Sequence, residues 1–123
     1  MGKDKNYAPQ SWQIIASQDL LNIPPWVTVS VQRVRLPNGR TVDDYHQIKL
    51  QDYTLIFAQT SAGEVIVERA YKHGPRQYTL SLPAGLMEEG ETPLASAQRE
   101  LLEETGYVSD DWHSLAGCGR MGC

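Results

Sequence analysis

The sequence predicts an α+β domain, with strands along most of its length ahead of a single, sharply bounded helix. Three observations carry this. A strand-like run over 26–36, in which Val27, Val29 and Val31 alternate, and a returning run over 40–50 flank the turn-forming Pro37-Asn38-Gly39, the pattern of a hairpin. Tyr53-Thr54-Leu55-Ile56-Phe57-Ala58 is a nearly continuous apolar run of strand length. Thr92-Pro93 and Gly106 bracket a segment whose apolar residues recur at spacings of three and four.

A chain of 123 residues, 41% hydrophobic and 21% charged, has the size and composition of one ordinary globular domain. Its net charge of −4 leaves no basic stripe to displace counterions from a phosphate backbone, which argues against a nucleic-acid binder. No apolar run approaches the roughly 20 residues that span a bilayer. Met1-Gly2-Lys3-Asp4-Lys5-Asn6 lacks a signal-peptide core and a myristoylation signal, so a cytoplasmic location is expected. Cys118 and Cys123 are too few for a four-ligand zinc site and are expected as free thiols.

Residues 1–10 are polar and unpatterned and read as a flexible tail. Residues 11–50 form an N-terminal hairpin region. Trp12-Gln13-Ile14-Ile15 reads as a short strand, and Ile23-Pro24-Pro25 breaks what precedes it. In the strand over 26–36, Val27, Val29 and Val31 share one face while Val34 and Leu36 fall on the other parity, so a bulge or a change of environment is required. Residues 40–50 return as its partner. Residues 51–123 make the second region. Its first strand, over 52–59, is predicted to be covered on both faces. Ser61-Ala62-Gly63 turns the chain, 64–71 comes back with Val65 and Val67 on one side, and a strand over 77–82 leads into a glycine loop at Gly85. Residues 112–115 are predicted to open one more strand.

The helix is predicted over 93–105, with Thr92 as N-cap, Pro93 in the first turn, Gly106 as left-handed terminator and Leu94, Ala97 and Leu101 as its apolar stripe. It also carries the densest charge in the chain. Residues 85–107, GLMEEGETPLASAQRELLEETGY, set Glu88, Glu89, Glu91, Glu100, Glu103 and Glu104 against one base, Arg99. Like charges three and four apart on a helix repel, and one guanidinium does not balance three clustered carboxylates. A divalent cation can, since Mg²⁺ takes one or two protein carboxylates, waters and substrate phosphate oxygens. Glu100 and Glu104, one turn apart, are first-choice ligands, with Glu103 as a further ligand or the holder of a metal-bound water. Glu88 and Glu89 are expected as solvated loop residues.

Gly85, Glu91, then Arg99-Glu100-Leu101-x-Glu103-Glu104-x-Gly106 with Tyr107 behind it is the pattern by which this chain resembles the Nudix hydrolases. At average residue usage, seven fixed identities at these spacings arise by chance at about one in 10⁸ start positions. Tyr107 stands where an aliphatic residue is usual. Leu82-Pro83-Ala84-Gly85 is similar to the ADP-ribose pyrophosphatase branch, with Ser81 where that branch often has an acid. The resemblance implies an α/β/α sandwich around a mixed sheet, preceded here by the N-terminal hairpin. Only 16 residues follow Tyr107, so the C-terminal part of that fold is expected to be shortened. The resemblance also implies a metal contact from the Ala84 carbonyl, organising roles for Glu91 and Arg99, and a homodimer formed through the N-terminal sheet.

The implied reaction is hydrolysis of a nucleoside diphosphate linked to another group (NDP–X), such as ADP-ribose or a nucleotide sugar, with Mg²⁺ or Mn²⁺. Glu100 or Glu103 is the expected base. Arg69, Lys72 and Arg76 are candidates to hold phosphates, and Tyr71, Tyr78 or Trp26 to stack on a base. His46, His73 and His113 receive no role. Two other readings stand beside this one: a hydrolase of nucleoside triphosphates or dinucleoside polyphosphates, and a non-catalytic domain that binds a nucleotide or a partner.

Overall fold

The computed structural model describes residues 10–116. Residues 1–9 and 117–123 lie outside them, and with them most of the expected tail, Cys118 and Cys123. The chain divides into two compact units, Met1–Leu50 and Gln51–Cys123.

In the first unit β1 (Gln13–Ile23), β2 (Val27–Arg35) and β3 (Thr41–Leu50) form an antiparallel sheet in that order. The expected hairpin is β2–β3. Gly39, at φ 85°, takes the left-handed turn position and donates its N–H to the Leu36 carbonyl at 2.9 Å. Of the bulge or change of environment expected on the strand over 26–36, the structure shows no bulge in β2 itself and places the irregularities on its neighbours. On β3, Asp43 and Asp44 together face Arg33 of β2, and Arg33 pairs with Asp43 at 2.7 Å. On β1, Ile15 and Leu20 are the extra residues. These two insertions explain why β1 is far longer than the short strand expected there. Each one flips the side-chain parity, so the sequence shows no sustained alternation although the pairing runs from end to end. The turn into β2 contains the cis Pro24–Pro25 bond and is closed by the Trp26 N–H on the Ile23 carbonyl at 2.8 Å.

The second unit holds β4 (Tyr53–Leu55), β5 (Glu68–Lys72), β6 (Gln77–Ser81), β7 (Ala84–Leu86) and α1 (Pro93–Thr105). β4 pairs with β7 and β5 with β6, and every ladder among the described residues is antiparallel. The strand expected over 52–59 is shorter and covered on one face only. Thr54 and Ile56 are buried, whereas Tyr53, Leu55 and Phe57 are exposed. The covered face is the one α1 lies on, through a Thr54 Oγ1 to Ser96 Oγ hydrogen bond of 3.1 Å. No described residue buries the other side.

The caps of α1 are the predicted ones. Thr92 Oγ1 accepts the Ala95 N–H at 3.2 Å, Pro93 sits in the first turn, and Gly106 at φ 74° donates to the Leu102 carbonyl at 2.9 Å. The stripe differs from expectation. Leu101 is buried, but Leu94 is 49% exposed and the small Ser96 is fully enclosed in its stead. Helix and strand thus approach through a short polar pair rather than a leucine. The strand predicted over 112–115 is absent among the described residues, because Trp112 folds back and its Nε1 donates to the Ser109 carbonyl at 2.7 Å.

Candidate metal centre

The site grows from the meeting of β7 with α1. Gly85 pairs with Thr54 in the β4–β7 ladder, and a Cβ placed on it would overlap the Glu100 carboxylate. Gly85 does not occupy the left-handed region, so glycine serves here for space rather than for backbone conformation. One residue earlier, Ala84 lies between two bonded positions. The Ile56 N–H donates to Pro83 and the Met87 N–H to Asp52, so alternation makes Leu55–Ala84 a pair whose peptide groups point away from each other. The Ala84 N–H donates to Glu104 Oε2 at 3.2 Å, and its carbonyl is directed to the same edge.

Arg99 organises the other acids. It grips Glu91 with both Nε (2.8 Å) and Nη2 (2.9 Å), reaches Glu100 with Nη1 at 2.7 Å and Glu103 at 3.2 Å, and ties the loop by an Nη2 bond to the Leu86 carbonyl at 3.1 Å. Glu91 also accepts the Glu88 N–H at 3.0 Å. The Arg99 bonds, with that N–H behind them, hold the Glu91 carboxyl down at about 2, and the same carboxylates push the guanidinium further up. Glu91 is therefore a fixed post between loop and helix. Glu104 takes no bond from Arg99 among the described residues, so the charge that Arg99 does not meet is concentrated there.

One residue of the site had not been picked out of the sequence. Glu68, half-buried on β5, has its pKa raised, first by burial and then by Glu104, with Lys72 acting in the opposite sense. Glu68 lies directly across the β5–β6 ladder from Ser81. The available signal was parity. Ile66, Glu68 and Ala70 form the inner face of this segment, while Val65 and Val67 are exposed. The three candidate phosphate ligands do not converge. Lys72 shares the parity of Glu68, whereas Arg69 is on the opposite face with its guanidinium 5.1 Å from the centre of the Tyr78 ring. Arg76 is in the β5–β6 turn at φ 56°. Tyr71 packs edge-on to Tyr78 and contacts His73 Nδ1 at 3.3 Å. His113 pairs with Asp111 at 2.8 Å.

Residues 49–121 match the family model described as NUDIX domain. The chain belongs to the Nudix family. Residues 12–48 match a second model, the nucleoside diphosphate sugar hydrolase N-terminal domain. Among curated Nudix relatives, the chain is 32% identical over 83 residues to the ADP-ribose pyrophosphatase of Bacillus subtilis (strain 168), covering 68% of this chain and 44% of that protein. It is 30% identical over 121 residues to the ADP-sugar pyrophosphatase of Mus musculus, covering 89% and 53%. The chain thus spans about half the length of these relatives. A solved ADP compounds hydrolase superposes with a TM-score of 0.61 over 83% of this chain and 55% of that one, at 24% identity, a likeness of fold.

Nudix hydrolases generally use divalent metal ions, and the residues here fit one. The Gly85 cradle leaves the Glu100 carboxylate against the loop backbone, Glu104 lies at the Ala84 peptide, and hard oxygen donors predominate. Among the described residues no group of three or more acid, histidine or cysteine side chains is placed to hold a metal ion. No helix is long and apolar enough to cross a membrane among the described residues.

Proposed function

We propose that this chain hydrolyses the diphosphate of an NDP–X compound, with ADP-ribose or a related nucleotide sugar as substrate and Mg²⁺, replaceable by Mn²⁺, as the ion. The observation that carries this reading is the cradle at Gly85, where the absence of a Cβ lets a loop close directly onto a carboxylate of the acidic helix. The names of the relatives support the substrate class. A cytoplasmic location goes with such a substrate.

Glu100, Glu104 and the Ala84 carbonyl would hold a divalent cation there, which would supply charge neutralisation for the phosphate oxygens and activation of water. Glu103 would orient the attacking water beside them. Arg99 and Glu91 keep the loop on the helix, so that the carboxylates are positioned before substrate arrives. Lys72, on the Glu68 side of β5, faces a phosphate, and Arg69 and Arg76 act further out. Water attacks phosphorus, the anhydride P–O bond breaks, and a nucleoside monophosphate and a phosphorylated X leave. Glu103 takes the water proton, being the more exposed of the two candidate bases and held by the longer Arg99 bond. The working form is a homodimer paired through the β1–β2–β3 sheet.

The test is product release from ADP-ribose, sugar nucleotides, nucleoside triphosphates and dinucleoside polyphosphates, with and without Mg²⁺. Turnover of the first two classes is expected. Glu104→Gln is expected to lower kcat roughly a hundredfold with an unchanged circular dichroism spectrum. A full rate in that variant removes Glu104 from the site, and no turnover of any compound leaves the non-catalytic reading.

A further inference from the structure

The strands of the second unit are covered on one face only. Gln59 bridges Val65, and the Ile66 N–H donates to the Ala58 carbonyl at 3.0 Å, so the segment that continues β4 is joined to the one that leads into β5. This link connects the β4–β7 and β5–β6 ladders, and along both strands the side chains alternate between two faces. The inner face carries Thr54 and Ile56, with α1 lying on Thr54. The outer face presents Leu55, Phe57, Val67, Tyr71, Tyr78 and Leu80, each 50–69% exposed. An antiparallel sheet with one face in water ordinarily turns polar residues outward. Here the outward face is apolar instead.

We propose that this outer face is an interaction surface whose occupant is the same face of a second copy of the chain, packed sheet on sheet about a two-fold axis. Its area is of the right order. Aromatic side chains offer 150–250 Å² each, so the three half-exposed rings supply roughly 350 Å² and the aliphatic side chains a similar amount, close to the about 800 Å² per partner of a stable interface. The charge on the face is also slight. Arg69 is the charged residue at its strand positions, and its guanidinium lies 5.1 Å from the centre of the Tyr78 ring, along the face rather than away from it. A charged partner would find one cation to pair with, whereas a second copy meets apolar side chains with apolar side chains across the patch. The surface belongs to the second unit, so it goes beyond the homodimer through β1–β2–β3 proposed above and stands without it. A chain with two different two-fold interfaces assembles past a dimer.

The test is sedimentation equilibrium of the full chain over a concentration series. The variants are Leu80→Lys and Phe57→Lys in this face and Leu21→Lys in β1, each checked by circular dichroism. A lysine in the face would bring like charges together, unpaired, where two copies meet. The parent is expected to exceed twice the chain mass of 13.8 kDa, Leu80→Lys and Phe57→Lys to halve its mass, and Leu80→Lys combined with Leu21→Lys to run as a single chain. If both lysine variants of the face keep the parent's mass, the interface does not exist, and a mass that falls in Leu21→Lys leaves the β1–β2–β3 homodimer standing. If the parent is a dimer that Leu80→Lys and Phe57→Lys reduce to one chain and Leu21→Lys does not, the interface stands and that homodimer falls. A single-chain parent overturns both. Should neither variant of the face keep the parent's circular dichroism spectrum, the fluorescence of an apolar dye on Leu21→Lys decides. Dye bound per chain is expected to rise on dilution, and a constant value overturns the proposal.

Discussion

At the scale of single residues the candidate site is governed by space and by charge. Gly85 shows the first. The overlap that a methyl group would make with the Glu100 carboxylate means that Gly85→Ala must push apart the loop and the helix. Loss of Mn²⁺ binding by about tenfold or more is expected, with the helical signal in circular dichroism retained; unchanged binding would show that the loop does not need to approach Glu100. Glu91 shows the second. Its pKa in the folded chain, about 2, lies below the ordinary 4.5, so the ionised form is favoured by folding. The stability this contributes is complete above pH 4.5 and is lost as pH falls toward 2. Thermal melts should therefore show the parent more stable than Glu91→Gln at neutral pH, with the gap closing across that window. A gap that does not change with pH would mean that the Arg99 bond adds nothing to the fold.

At the scale of elements, α1 is held at both ends by its own sequence and in the middle by a polar contact. Thr92→Ala removes the acceptor for the Ala95 N–H and should cost about 1 kcal/mol in urea unfolding, moving the midpoint without altering the slope. The helix bounds were readable because caps are local: a hydroxyl, a proline and a left-handed glycine each act within one turn of the residue concerned. Its buried face was not. Which of Leu94, Ser96 and Leu101 is enclosed depends on where β4 lies, and Thr54 on that strand selects Ser96. The same holds for β1, whose bulges at Ile15 and Leu20 erase the period-two pattern while leaving the ladder intact.

At the scale of the whole molecule the leading feature is apolar surface left in the open. Ile14, Ile15, Leu20, Leu21 and Ile23 of β1 are all exposed, as are Leu55, Tyr78 and Leu80 in the second unit. Fully buried apolar residues are few beside them. Apolar side chains exposed in such number favour association. Sedimentation equilibrium is expected to give at least twice the chain mass of 13.8 kDa, and a strictly monomeric mass would remove the homodimer from the proposed function.

The sequence by itself determined the family, the helix with both its caps, the hairpin turn at Gly39, and the acids and glycine of the loop–helix unit, because all of these are set by residues close together in the chain. Tertiary structure alone decided which charges remain unmet. Arg99 can be seen to reach Glu91, Glu100 and Glu103 only once loop and helix are folded together. Glu68 is set opposite Ser81 only by a strand register that no local pattern encodes. Electrostatic contact depends on distance in space, and pairing of distant strands sets that distance.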